Sequence, residues 1–147
     1  MKVNGKSTQT IWLSEDKQNV QIIDQTKLPF EFKVVTLNCF EDAFKAIKNM
    51  LVRGAPLIGV TGAYGVFLAA KENKELKFIE DACDYLNSAR PTAVNLSWAL
   101  NRMLQKAFDS KPNNIIENLC NEANKILDED INFCENIGKY GCEIIKD

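Results

Sequence analysis

Val52–Ala70, VRGAPLIGVTGAYGVFLAA, carries one charged residue, Arg53, at its head, and the next charge is Lys71. Three kinds of element are open to such a run: a membrane span, a core helix, or a helix whose start is built to hold something. A spanning helix needs about 20 predominantly apolar residues. This run is a little shorter, and it is rich in Gly, Ala and Thr where a span would carry Leu, Ile and Phe. No other segment comes close, and the N-terminal MKVNGKSTQTIW has no apolar region of a signal peptide. The chain is therefore expected to be soluble and cytoplasmic, with no membrane partner.

Composition narrows the chemistry. The 147 residues make one ordinary domain, long enough to bury a core. A net charge of −2 argues against nucleic acid as a partner, because phosphate backbones call for a basic face. The five cysteines, Cys39, Cys83, Cys120, Cys134 and Cys142, form no C-x-x-C pair, and the chain has no histidine. These spacings do not favour a thiolate zinc site. Free thiols in a reducing compartment and no metal are the expectation. The missing histidine also removes the commonest general base, leaving carboxylates, thiols and lysines for any catalysis.

Around the opening run, two periodicities divide the chain. QTIWL (Gln9–Leu13), VQIIDQT (Val20–Thr26) and FKVVTL (Phe32–Leu37) are short β-branched or aromatic runs separated by turn-like segments. They read as a three-stranded meander. From Asn38 the spacing becomes helical, with Phe40, Phe44, Ile47 and Leu51 on one face and Asn38 as a cap. ELKFIEDACDYLNSA and TAVNLSWALNRMLQKAF supply further helices, and Asn113 to about Ile145 makes one long helix or two. In the acidic LDEDINFCEN, Ile131 and Cys134 are expected to face inward from a solvated helix surface. The predicted fold is α+β, a small three-stranded antiparallel sheet followed by a bundle of about five helices, in a single domain over 1–147.

The start of the opening run has the makings of an anion seat. Pro56 suits the first turn of a helix, and Gly54 before it permits backbone shapes closed to other residues. Free N–H groups and the helix dipole attract anions there. Arg53 adds a planar fork of donors matched to phosphate or carboxylate. The competing reading is packing: Ala55, Gly59, Gly62, Val66 and Ala69 form a small-residue stripe that lets a neighbouring helix approach. SARPTAVNLSWAL (Ser88–Leu100) repeats the layout, with Arg90, then Pro91, then a helix beginning at Pro91 or Thr92. Alone, Arg90 reads equally as a loop arginine paired with a surface carboxylate. Two arginines at two proline-marked helix starts suggest one anion held from two sides. Asp24, Gln25, Thr26 and Lys27 form a third polar cluster at a strand end, where an exposed turn is the plainer reading. Trp12 and Trp98 read as core or edge aromatics.

DQTKLP, VRGAPLIGVTGAYG and SARPTAVNLSWAL, in this order and at these separations, resemble the N-terminal half of methylthioribose-1-phosphate isomerases. That family is grouped with ribose-1,5-bisphosphate isomerases and with the regulatory subunits of eukaryotic initiation factor 2B. The R-G-A-P and R-P-T-A-x-N-L forms are closer to the isomerase branch. The resemblance runs from about Val20 to the last residue. It implies a cofactor-free conversion of an aldose 1-phosphate to a ketose 1-phosphate in methionine salvage. The family's substrate-binding R-G-A and R-P-T motifs correspond to Arg53, Gly54, Ala55 and Arg90. The family's catalytic cysteine and aspartate belong to a second, Rossmann-like domain, and no cysteine here matches that context. The chain is thus expected to bind the sugar phosphate, weakly if alone, to lack catalytic residues and to be inactive by itself. Self-association or a separate C-terminal-domain chain are the partners this implies. The alternative is a non-catalytic interaction module of the initiation-factor type.

Overall fold

In the computed structural model, which describes residues 2–3 and 5–145, every residue from Leu57 to Ala70 is buried. These residues belong to the helix Ala55–Glu72, and their composition explains the burial. A helix apolar on all sides has no face to give to water, so other elements must enclose it. Four do: Phe40–Lys48, Leu76–Asn87, Val94–Phe108 and Ile115–Ile144 all pack against it. In chain order the helices are α1 (Phe40–Lys48), α2 (Ala55–Glu72), α3 (Leu76–Asn87), α4 (Val94–Phe108) and α5 (Ile115–Ile144). The surrounding four are amphipathic, and each turns a stripe such as Ile79, Ala82, Cys83 and Leu86 of α3 toward α2.

The glycines of α2 serve packing. A Cβ on Gly59 would lie 2.8 Å from the Asn95 carbonyl oxygen of α4, and one on Gly62 would collide with the Leu96 side chain. A Cβ on Gly65 would stand 3.0 Å from Leu86 and 3.1 Å from Ala43, so α3 and α1 use the same device on another face. Polar groups inside are satisfied locally. The Thr61 hydroxyl donates to Leu57 O at 2.7 Å, and the Tyr64 hydroxyl donates to Asn124 Oδ1 at 2.8 Å, tying α2 to α5.

Five strands precede the helices among the described residues: β1 (Lys2–Val3), β2 (Lys6–Ser7), β3 (Ile11–Leu13), β4 (Val20–Ile23) and β5 (Val34–Leu37). The last three form the expected antiparallel sheet, in order β3-β4-β5. Ile11 pairs with Ile22 and Val20 with Leu37, and all four side chains enter the core. On the other face Trp12 pairs with Gln21 and its Nε1–H donates to Gln21 Oε1 at 2.6 Å. The β1–β2 hairpin has no apolar alternation to announce it and was not foreseen.

Several boundaries differ from the sequence reading for identifiable reasons. The cap of α1 is Cys39; Asn38 instead offers its backbone N–H to Asp42 Oδ2 at 3.1 Å. Leu51 lies beyond the end of α1, held by its N–H to Ala46 O at 2.9 Å. Helix α4 starts at Val94, because Arg90–Ala93 closes a turn in which Ala93 N–H donates to Arg90 O at 3.0 Å. The C-terminal segment is one continuous helix, and Cys134 is exposed where an inward position was expected. Beyond Ile126 no described residue of α5 is buried, and Phe133, Ile137, Tyr140 and Ile144 line one exposed side. Among the described residues no helix is long and apolar enough to cross a membrane.

Candidate functional site

Between α1 and α2 the chain must turn sharply, and it does so at Met50, with φ 59°. Val52 then plugs into the core, which leaves Arg53 projecting outward. Gly54 follows with φ 99°, a left-handed conformation that favours glycine, and it caps α2 with Pro56 in the first turn. No side chain caps α2 or α4, so the first backbone N–H groups of both helices have no side-chain acceptor.

The two helix starts lie together. Gly59 abuts the Asn95 carbonyl, and Pro56, Gly59, Val94, Asn95 and Trp98 share one cleft of about 370 Å³. Arg53 and Arg90 thus precede two helix starts at the same end of the bundle. The Arg53 Nη2 donates to the Gln25 carbonyl at 3.2 Å. Among the described residues neither arginine has a carboxylate within ion-pair distance, so the paired-loop reading of Arg90 does not hold. Arg102 shows the contrast. It bridges α4 to α5 through Glu122 at 2.7 Å and Glu129 at 2.6 Å. These partners push its already high pKa further up, and Arg102 in turn holds the Glu129 carboxyl below its usual value.

The third cleft wall was missed in the sequence. Ile126, Glu129, Asp130 and Phe133 of α5 supply it, so the acidic run is only partly a solvated face. Burial raises the Asp130 pKa above its ordinary value. Trp98 is half exposed at the rim, with the Arg102 guanidinium 5.3 Å above its ring. The exposed-turn reading of the Asp24 cluster holds for Thr26 and Lys27, but Asp24 itself is buried. The Thr26 hydroxyl, at 2.6 Å, lowers its pKa, with burial opposing and the Thr26 N–H, Lys27 and Lys33 assisting.

One cluster could hold a metal ion among the described residues. The ligand atoms of Cys39, Glu41 and Glu72 lie within 4.8 Å of one another. It sits where α1 begins and α2 ends, so α2 separates it from Arg53 along its length. Burial pushes the Cys39 thiol up to about 11, so it is protonated at neutral pH.

Known proteins share both the sequence and the fold of this chain. The chain is 45% identical over 146 residues to a methylthioribose-1-phosphate isomerase of Rhodospirillum centenum, covering 99% of this chain and 39% of that protein. The crystal structure of 5-methylthioribose 1-phosphate isomerase from Pyrococcus horikoshii superposes with a TM-score of 0.89 at 37% identity, over 97% of this chain and 42% of that one. Translation initiation factor eIF-2B, subunit delta, from A. fulgidus superposes with a TM-score of 0.87 at 35% identity, over 96% and 43%. The chain therefore spans about two fifths of the length of these relatives. A family model, the Initiation factor 2 subunit family, matches residues 51–147, which include both arginines, the cleft and all of α2, α4 and α5. On the sequence match and the shared fold together, the chain belongs to the Initiation factor 2 subunit family.

Proposed function

We propose that this chain is the substrate-phosphate-binding part of a methylthioribose-1-phosphate isomerase-like protein acting in methionine salvage in the cytoplasm. Arg53, Gly54, Ala55 and Arg90 hold the phosphate, and the catalytic groups come from the remaining length that its relatives possess. The observation that carries the reading is the pair of arginines without carboxylate partners at the shared start of α2 and α4. A phosphate there would receive two guanidinium forks and open backbone N–H groups, each a charge-assisted hydrogen bond. Each such bond contributes about 1.5–3 kcal/mol. Calorimetric titration with methylthioribose 1-phosphate should accordingly show Arg53→Ala and Arg90→Ala each weakening binding about tenfold or more. Unchanged affinity in both variants would return the arginines to solvent. Steady turnover by the purified chain alone would contradict the division of labour.

A second reading has its own observation. Phe133, Ile137, Tyr140 and Ile144 recur at four- and three-residue steps, and all are more than half exposed. Such a stripe is the seam of a helix that pairs with another chain, as in an interaction module of the initiation-factor type. Light scattering should then show concentration-dependent association that Ile137→Lys with Ile144→Lys abolishes. A strict monomer at high concentration that binds no hydrophobic dye defeats this second reading.

A further inference from the structure

A single peptide plane joins a buried carboxylate to Arg53. The Gln25–Thr26 bond is trans, so its N–H and C=O point in opposite directions from a rigid unit. On one side the Thr26 N–H donates to Asp24 Oδ1 at 3.0 Å, and the Thr26 hydroxyl donates to the same oxygen at 2.6 Å. On the other side the Gln25 carbonyl accepts from Arg53 Nη2 at 3.2 Å. The Gln25 N–H also donates to Leu51 O at 2.9 Å, so one residue holds the 51–53 segment at two points. Asp24 is only 6% exposed. Burying a carboxylate is unfavourable, and an aspartate capping an exposed turn needs no such burial. The burial makes sense if the orientation of the plane matters to what the plane holds.

We infer that Asp24 is a positioning residue for Arg53. Its carboxylate sets the Gln25–Thr26 plane so that the Gln25 carbonyl tethers one nitrogen of the guanidinium and leaves the other donors to an oxyanion. This rests on the phosphate-seat reading above. A carboxylate at the N–H end also polarises the carbonyl at the far end, strengthening it as an acceptor. The gain is preorganisation: an exposed arginine already held near its bound rotamer loses less freedom when the anion arrives.

The test is an NMR titration of the full chain with inorganic phosphate, reading Kd and the Arg53 side-chain Nε–H signal. Asp24→Ala should weaken phosphate binding roughly three- to tenfold and broaden or shift that signal, as expected when preorganisation is lost. Asp24→Asn keeps an acceptor for the Thr26 N–H and should recover most of the loss. Thr26→Val, at an exposed position that leaves the core intact, should act in the same direction more weakly. In an Arg53→Ala background, Asp24→Ala should add nothing. A purely structural role predicts instead the same loss factor with or without Arg53, and that result overturns the inference. So does a strong Arg53→Ala effect with Asp24→Ala and Thr26→Val both silent. Phosphate binding untouched by Arg53→Ala sinks the seat itself, and this inference with it.

Discussion

Replacing Gly59 by alanine tests the packing that brings the two helix starts together. The added Cβ would stand 2.8 Å from the Asn95 carbonyl oxygen, about 0.6 Å inside the 3.4 Å where ordinary contact begins. The obstacle is backbone, so no rotamer change relieves it; α4 must move as a unit. Overpacking of this kind costs about 1–3 kcal/mol, while alanine in place of glycine within a helix returns up to about 1 kcal/mol. The net expectation is a loss of up to about 2 kcal/mol, or a Tm lower by up to about 6 °C for a chain of this size. Gly138→Ala is the matched control. Nothing lies within 4 Å of its Cβ position, so only the propensity gain operates and Tm should hold or rise slightly. Differential scanning calorimetry on the parent and both variants reads the contrast directly. Because the shift displaces the first turn of α4, Gly59→Ala should also weaken sugar-phosphate binding. A Gly59→Ala chain as stable as Gly138→Ala would falsify the close α2–α4 contact, and the shared-end geometry of Arg53 and Arg90 would go with it.

Three further outcomes follow from other parts of the molecule. Arg102→Ala leaves Glu122, whose side chain is only 13% exposed, with Lys106 at 3.6 Å as its remaining cationic partner, and should lower stability by about 1 kcal/mol, seen as a reduced denaturant midpoint without a change in slope. Under native conditions a thiol reagent should label Cys134 and Cys142 quickly. Cys83, buried and pushed up to about 12, should react only as fast as the chain opens. The Asp24 pKa lies below its ordinary 3.8, held there first by the Thr26 hydroxyl with Lys27 and Lys33 assisting. A depressed carboxylate contributes stability that is complete above its unfolded value and is lost as pH falls through the folded one. The stability gap between the parent and Asp24→Asn should therefore stay constant above about pH 5 and close below about pH 4 in acid-unfolding curves. A gap that widens with acid contradicts the assignment.

What local sequence decided is what local physics can decide. The uncharged run Leu57–Ala70 had to be enclosed because no face of it tolerates water, and that alone calls for several amphipathic helices around one centre. The alternation through Val20, Gln21 and Ile22 likewise determined which side of β4 turns Val20 and Ile22 to the core. Arg53 and Arg90 were visible as candidates because proline and glycine mark helix starts by their own backbone limits. Other features depend on partners far along the chain. The cap of α1 fell on Cys39, with Asn38 giving its backbone N–H to Asp42, and α4 began late because Arg90–Ala93 closed a turn first. The α5 wall of the cleft and the exposure of Cys134 depend on where α5 leaves the bundle after Ile126. The tether from Arg53 to Gln25 spans 28 positions, and the register of the sheet against the α1–α2 link creates it. Periodicity reports which side of an element is apolar, but not which neighbour will meet it. That choice is made by the packing of rigid bodies, where a glycine on α2 facing a carbonyl on α4 determines how close two helix starts can come.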